Sequence, residues 1–295
     1  MRKLDMKSRT LINRLLVDGN PIHATSRIAD VSKNTVTKLL EDAGRACAVY
    51  LDEKVKGVES KHVQADEIWS FCYAKAKNIE GAKAAPANAG DIWTWAAMDR
   101  DSKLMISYTI GDRSGATKRE IMFHSASRVA TRIQLTTDSH CAYLEAVTGA
   151  FSGDVDYAML IRHYGNPTGS KGHESKYSPS ECTGTAKEAI FGNPIMEDVG
   201  TSHIERQNLK MRMGMRRFTS LTNALSKKAE NHAFAVVLHF MRYNFCRTHK
   251  TLRMTLAMAA GVSDRLWDVE DIGALVEAAE EAAPKMRGPY RKKSL

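Results

Sequence analysis

The run HVQADEIWSFCYAKA, residues 62–76, is where the chain changes period. Upstream, apolar residues recur at helical spacing. Here Val63, Ile68, Trp69, Phe71 and Tyr73 form a β-branched and aromatic run that predicts a strand. Asp66 stands in the middle of it, where a charge is costly unless it has a partner or a task. The adjacent Glu67 points to the opposite face of such a strand and reads as structural.

Toward the C-terminus the pattern continues as a mixed sheet. DIWTWAAMDRDSKLMISYTIGDRS (91–114) holds two apolar runs around the turn residues MDRDSK, a hairpin over 92–110. Asp99 falls in that turn and reads as structural, and Trp69, Trp93 and Trp95 read as core. GATKREIMFHSASRVA (115–130) returns to helical spacing. RIQLTTDSHCAYLEAV (132–147) gives a buried strand ending near Asp138, then a helix, and DVDYAMLIRHYG (154–165) one more strand. The order strand, hairpin, helix, strand, helix, strand predicts an α/β fold, a mixed sheet flanked by helices. Residues 165–200, rich in Gly, Pro and Ser, read as a long loop carrying Lys171, His173 and Lys176. A helix over roughly 220–246 follows, then an acidic helix and a basic tail within 263–295.

Toward the N-terminus, SRTLINRLLVDGN (8–20) predicts a helix that stops at Gly19. PIHATSRIADVSKNTVTKLLEDAG (21–44) predicts a second helix ending near Ala29, a tight turn, and a third helix capped by Ser32 and closed at Gly44. Ile28, Val31, Val36, Leu39 and Leu40 form its expected small core. This is helix-turn-helix spacing, which turns Ser32, Lys33, Asn34, Thr35, Thr37 and Lys38 toward a DNA groove. A solvated polar face on a helical subdomain fits the same pattern.

A net charge of +9 over 295 residues favours a polyanionic partner, nucleic acid before a membrane surface. No apolar stretch approaches the roughly 20 residues of a spanning helix, and the first ten residues lack a secretory pattern. Five scattered cysteines without a CxxC pair point to a reduced, cytoplasmic protein rather than a disulfide or zinc scaffold.

The segment TSHIERQNLKMRMGMRR (201–217) places Glu205 in a first helical turn, followed by Arg206, Lys210, Arg212, Arg216 and Arg217 with no second acid. Asn208, Leu209 and Arg212 fall at +3, +4 and +7 from Glu205, on its face. Asp66, Asp138 and Glu205 thus come from separate elements. If they converge, their oxygens make a hard site for Mg²⁺ or Mn²⁺; as isolated strand-end acids they would instead be salt-bridged or capping.

ADEIWSF (65–71), LTTDSHCAYLEAV (135–147) and TSHIERQNLKMRM (201–213) occur in the order of the three acidic motifs of the DDE class. Over residues 8–262 the chain resembles bacterial insertion-sequence transposases of that class, including RYNFCRTHKTLRMTLAMAAGV (242–262). It departs from the pattern at Ser139 and Leu256.

The resemblance implies a ribonuclease-H-like catalytic domain over 62–262, joined through a linker at 51–61 to a helix-turn-helix domain at 1–50. It implies catalysis and two-ion metal binding by Asp66, Asp138 and Glu205, with His140 and His203 flanking them. Arg212 would hold a phosphate beside the metals, and Lys210, Arg216 and Arg217 the DNA backbone. The implied partners are double-stranded DNA and a second copy of the chain, in the bacterial nucleoid. A non-catalytic repressor or transposase remnant, and a nuclease or resolvase, are the alternatives.

Overall fold

The computed structural model describes residues 4–138, 142–165, 181–219 and 225–283. Six strands make one sheet: β1 (His62–Cys72), β2 (Gly90–Asp99), β3 (Met105–Gly111), β4 (Ile133–Asp138), β5 (Val155–Gly165) and β6 (Glu181–Phe191). Their order across the sheet is β3-β2-β1-β4-β5-β6. The β1–β2–β3 meander is antiparallel, β4 and β5 run parallel to β1, and β6 returns antiparallel. The fold is α/β, a mixed sheet flanked by helices, as the sequence predicts.

The hairpin turns where expected, because Asp99 anchors it. This nearly inaccessible carboxylate accepts from the Ser102 amide at 2.7 Å and from Ser60 Oγ at 2.6 Å. The helices α4 (Gly115–Ala126) and α5 (Ala142–Phe151) cover one face of the sheet. The other carries α6 (Ser202–Gly214) and α7 (Ala229–Met241), the latter prolonged by a π-helical turn at Arg242–Cys246. The short α8 (Leu256–Ala259) follows.

The N-terminal helices are α1 (Met6–Val17), α2 (Ile22–Ile28) and α3 (Lys33–Lys54). Ser32 caps α3 as expected, its Oγ accepting from the Thr35 amide at 3.1 Å. Three details differ. Ile28 is exposed rather than core. Gly44 does not close α3; the helix runs on to Lys54, into the first four residues of the stretch expected as linker, and Leu51, Val55 and Val58 enter the main core. Gly44 serves a helix crossing instead, since a Cβ there would lie 2.5 Å from Phe234 Cβ on α7. The acidic helix α9 (Val269–Ala282) then closes over α1 and α3, with Arg9 donating to Glu280 at 2.9 Å.

Two expectations downstream also change. Part of the loop at 165–200 is strand β6. Its residues are almost all exposed, so this edge strand has no buried face to impose an apolar alternation, and only its pairing with β5 defines it. Residues 166–180, with Lys171, His173 and Lys176, lie outside the described residues, as do Ser139 and His140. The helix expected from about 220 begins only at Ala229, because the Ser226 carbonyl accepts from the Tyr73 amide (2.8 Å) just past the end of β1.

In an open helix Gly→Ala gains about 1 kcal/mol. Gly44→Ala should instead lose about 1–3 kcal/mol in urea denaturation, because the added methyl pushes α7 off α3. A gain would show that the two helices are not in close contact there.

Candidate active site

The site begins with strand register. β1 and β4 pair in parallel, Val63 with Leu135 and Gln64 with Thr136, and the pairing stops there. Two residues further along each strand stand Asp66 and Asp138, on the same face as Gln64 and Thr136. The strands part at that point, and the carboxylates occupy the opening.

Glu205 is brought alongside by β1 itself. The Gln64 side-chain oxygen accepts from the backbone amides of His203 (3.0 Å) and Ile204 (3.2 Å), at the start of α6. No side chain of the helix's own N-cap, Thr201, does this work. Gln64 is buried, and it fixes where α6 enters. One turn on from Glu205, Asn208 donates to Asp66 Oδ2 at 2.8 Å. Neither role was visible in sequence, although Gln64 carries the same-face spacing from Asp66 that marks it in retrospect.

Oxygens of Asp66, Glu67 and Asp138 lie within 4.8 Å of one another. Glu67, read as structural from its strand face, therefore reaches the acidic cluster. It is also held from its own side, where Arg113 donates at 2.8 Å and Tyr143 at 3.5 Å. Burial and Asp138 push its pKa up, against the pull of Arg113. Glu205 is not in the cluster: its carboxylate takes hydrogen bonds from Thr201 Oγ1 and the Arg162 guanidinium of β5. It remains near enough that its charge acts on Asp66.

Asp66 is the most perturbed acid of the group. Burial raises its pKa to about 7, and the carboxylates of Glu67, Asp138 and Glu205 add to the shift. Hard oxygen donors crowded with excess negative charge suit a divalent cation such as Mg²⁺ or Mn²⁺.

The basic residues divide. Arg212 and Arg216 are exposed, and Lys210 is half-buried beside Tyr243. Arg217 departs from its expected role on a DNA backbone. It turns inward and donates to Ser226 Oγ (2.8 Å) and the Asn231 carbonyl (3.1 Å), so its guanidinium is spent inside the chain. His203 lies against Lys103 at 3.3 Å. On α3, Ser32, Lys33, Asn34 and Lys38 are exposed, and Thr35 and Thr37 half-buried. Lys38 pairs with Asp42 at 2.9 Å.

No family model matches the sequence, and no curated protein matches it. Solved structures do. A Mos1 transposase paired-end complex with the left transposon end is 14% identical over 53% of this chain and 60% of that one, with a TM-score of 0.23. The chain thus spans about 60% of the Mos1 protein. A simian T-cell lymphotropic virus intasome in complex with PP2A regulatory subunit B56 gamma is 11% identical, covering 97% and 79%, TM-score 0.37. A piggyBac transposase synaptic complex with hairpin DNA is 10% identical, covering 97% and 75%, TM-score 0.38. What the site does follows from its own residues. Among the described residues no helix is long and apolar enough to cross a membrane.

Two outcomes follow. The folded pKa of Asp66 exceeds its ordinary 3.8, so its ionisation costs stability; the cost sets in above that value and levels off past about 7. Mn²⁺ should offset it. The melting-temperature gain from Mn²⁺ should grow from about pH 6 to about pH 8 as the proton is released, and Asp66→Asn should remove most of it. Gln64→Leu should lose about 1–3 kcal/mol in chemical denaturation, since two amides at the start of α6 lose their acceptor.

Proposed function

We propose that this chain is a DNA transposase of the DDE class, acting on the ends of a bacterial insertion sequence. The observation that carries the reading is the meeting of Asp66 and Asp138 at the parting of two parallel strands, with Glu205 delivered beside them on a basic helix. Asp66 and Asp138 are the residues that would hold the metal. Glu205 completes their set when Arg162 gives it up. Glu67, already paired with Arg113, shapes the cluster from behind.

Held by Asp66 and Asp138, with Glu205 completing the set, two Mg²⁺ or Mn²⁺ ions would supply the charge that activates an attacking oxygen and steadies a leaving one. The protein's own work is placement. Asn208 orients the Asp66 carboxylate. Arg212, on the Glu205 face of α6, holds a phosphate near the acids, with Lys210 and Arg216 on the backbone farther along. Ser32, Lys33, Asn34, Thr35, Thr37 and Lys38 at the start of α3 read the element's terminal repeats, as a recognition helix does.

In the reaction, water cleaves one strand at each element end and leaves a 3′-OH. That hydroxyl then attacks a target phosphodiester and displaces the target strand's own 3′-oxygen, with no covalent protein intermediate. Handling two ends together calls for a dimer or larger assembly on DNA.

A labelled duplex carrying the element's own end tests this. With Mg²⁺ or Mn²⁺ the wild type should nick at the boundary and then form joined product. Asp66→Asn or Glu205→Gln should lower both by on the order of 10³-fold. Binding without cutting would leave a repressor or remnant, and cutting without joining a nuclease or resolvase.

A further inference from the structure

A second feature of α6 lies off its acidic face. Arg206 and Lys210 stand one turn apart, rotated about 100° and 140° around the helix from Glu205. They form one wall of a cleft of about 450 Å³ whose other wall is the loop carrying Arg247, His249 and Lys250. Tyr243, from the π-helical turn, lies beneath the Lys210 ammonium at 5.6 Å.

The cleft is built rather than incidental. Asn244, next to Tyr243, bonds the Met105 backbone in both directions at 3.0 Å and locks the π-helical turn to β3. The loop is closed on itself by the His249 amide on the Met254 carbonyl (2.9 Å) and the Arg253 amide on the His249 carbonyl (2.8 Å).

Its charge is also of one sign. Arg14, Arg132 and Arg265 each hold a carboxylate at 2.8–2.9 Å. No acid lines the cleft, and none of its four Lys and Arg side chains has a carboxylate partner among the described residues. Burial, then Arg247 and Arg206, push the Lys210 pKa down. His249 is lowered by burial and by Lys210, Lys103 and Arg247, and its Nδ1 is buried without a hydrogen-bond partner. Cations crowded together with no counter-charge are relieved by an anion.

We infer that this cleft is a phosphate-binding site, separate from the acidic centre, that takes successive backbone phosphates of a polynucleotide. Four cations along an open cleft exceed what one phosphate neutralises, which favours a chain of phosphates over a small ion. The inference rests on the transposase reading for its choice of polynucleotide. It adds a hold on the strand about 7.5 Å along α6 from Glu205, on another side of the helix.

The test measures affinity of the full chain for a labelled duplex of arbitrary sequence, in EDTA, between about 50 and 200 mM salt. Arg247→Ala with Lys250→Ala changes two exposed side chains. It should reduce the slope of log affinity against log salt by about 2. The charge-keeping pair Arg247→Lys with Lys250→Arg should restore most of the slope. Lys54→Ala with Lys56→Ala, equal in charge but outside the cleft lining, should leave it unchanged. Equal slopes in wild type and the cleft variant, or an equal fall in the Lys54 and Lys56 control, would overturn the site. A melting-temperature gain from inorganic pyrophosphate that the cleft variant loses, with duplex slopes equal, would assign the cleft to a small phosphate compound and overturn the polynucleotide. With metal chelated, the result is independent of cutting. Loss of the cleft effect with cutting intact removes only this inference, and loss of cutting with the slopes as expected removes only the transposase reading.

Discussion

Parallel pairing of β1 with β4 is the constraint on which the rest of the molecule depends. Once Gln64 lies opposite Thr136, Asp66 and Asp138 must face the same side two residues later, where the ladder has ended and the strands diverge. A slip of one residue in either strand would send one acid to the opposite face of the sheet. The same strand supplies Gln64 to receive α6, so one register positions both strand acids and the helix that bears Glu205.

Charge compensation then divides the site. Glu67 is held by Arg113, just ahead of α4, and by Tyr143 of α5, and Glu205 is held by Arg162. Asp66 accepts from the Asn208 side-chain amide and the Glu67 backbone amide, both neutral, and burial holds its pKa up at about 7. An acid so placed is destabilising unless protonated or bound to a cation, which is why the cluster reads as a functional rather than a folding feature. The cationic side of α6 mirrors it, with charges left uncompensated in a preformed cleft.

The helical layer holds these parts together by close approach as well as by ion pairs such as Arg242 with Asp18 at 2.7 Å. Gly44 lets α3 lie against α7, and Gly19, at a φ of 80°, lets the turn after α1 meet the end of α6, where a Cβ would clash with the Gly214 carbonyl. The N-terminal helices are thereby continuous with the core that carries the acids. A glycine at a crossing and a glycine closing a helix look alike in sequence, which is why the end of α3 was legible only in three dimensions.

By itself the sequence determined the strand–hairpin–helix order, the Ser32 cap, the turn at Asp99 and the two strand acids, because each rests on local periodicity or on the cost of a charge in an apolar run. The tertiary structure decided what depends on partners distant in the chain. Glu67 joins the cluster because β1 and β4 diverge beside it. Glu205 is engaged by Arg162, 43 residues earlier in the chain, and Arg217 turns inward to Ser226 and Asn231. β6 exists through its pairing alone. A charge announces itself in sequence, but its partner is chosen by packing.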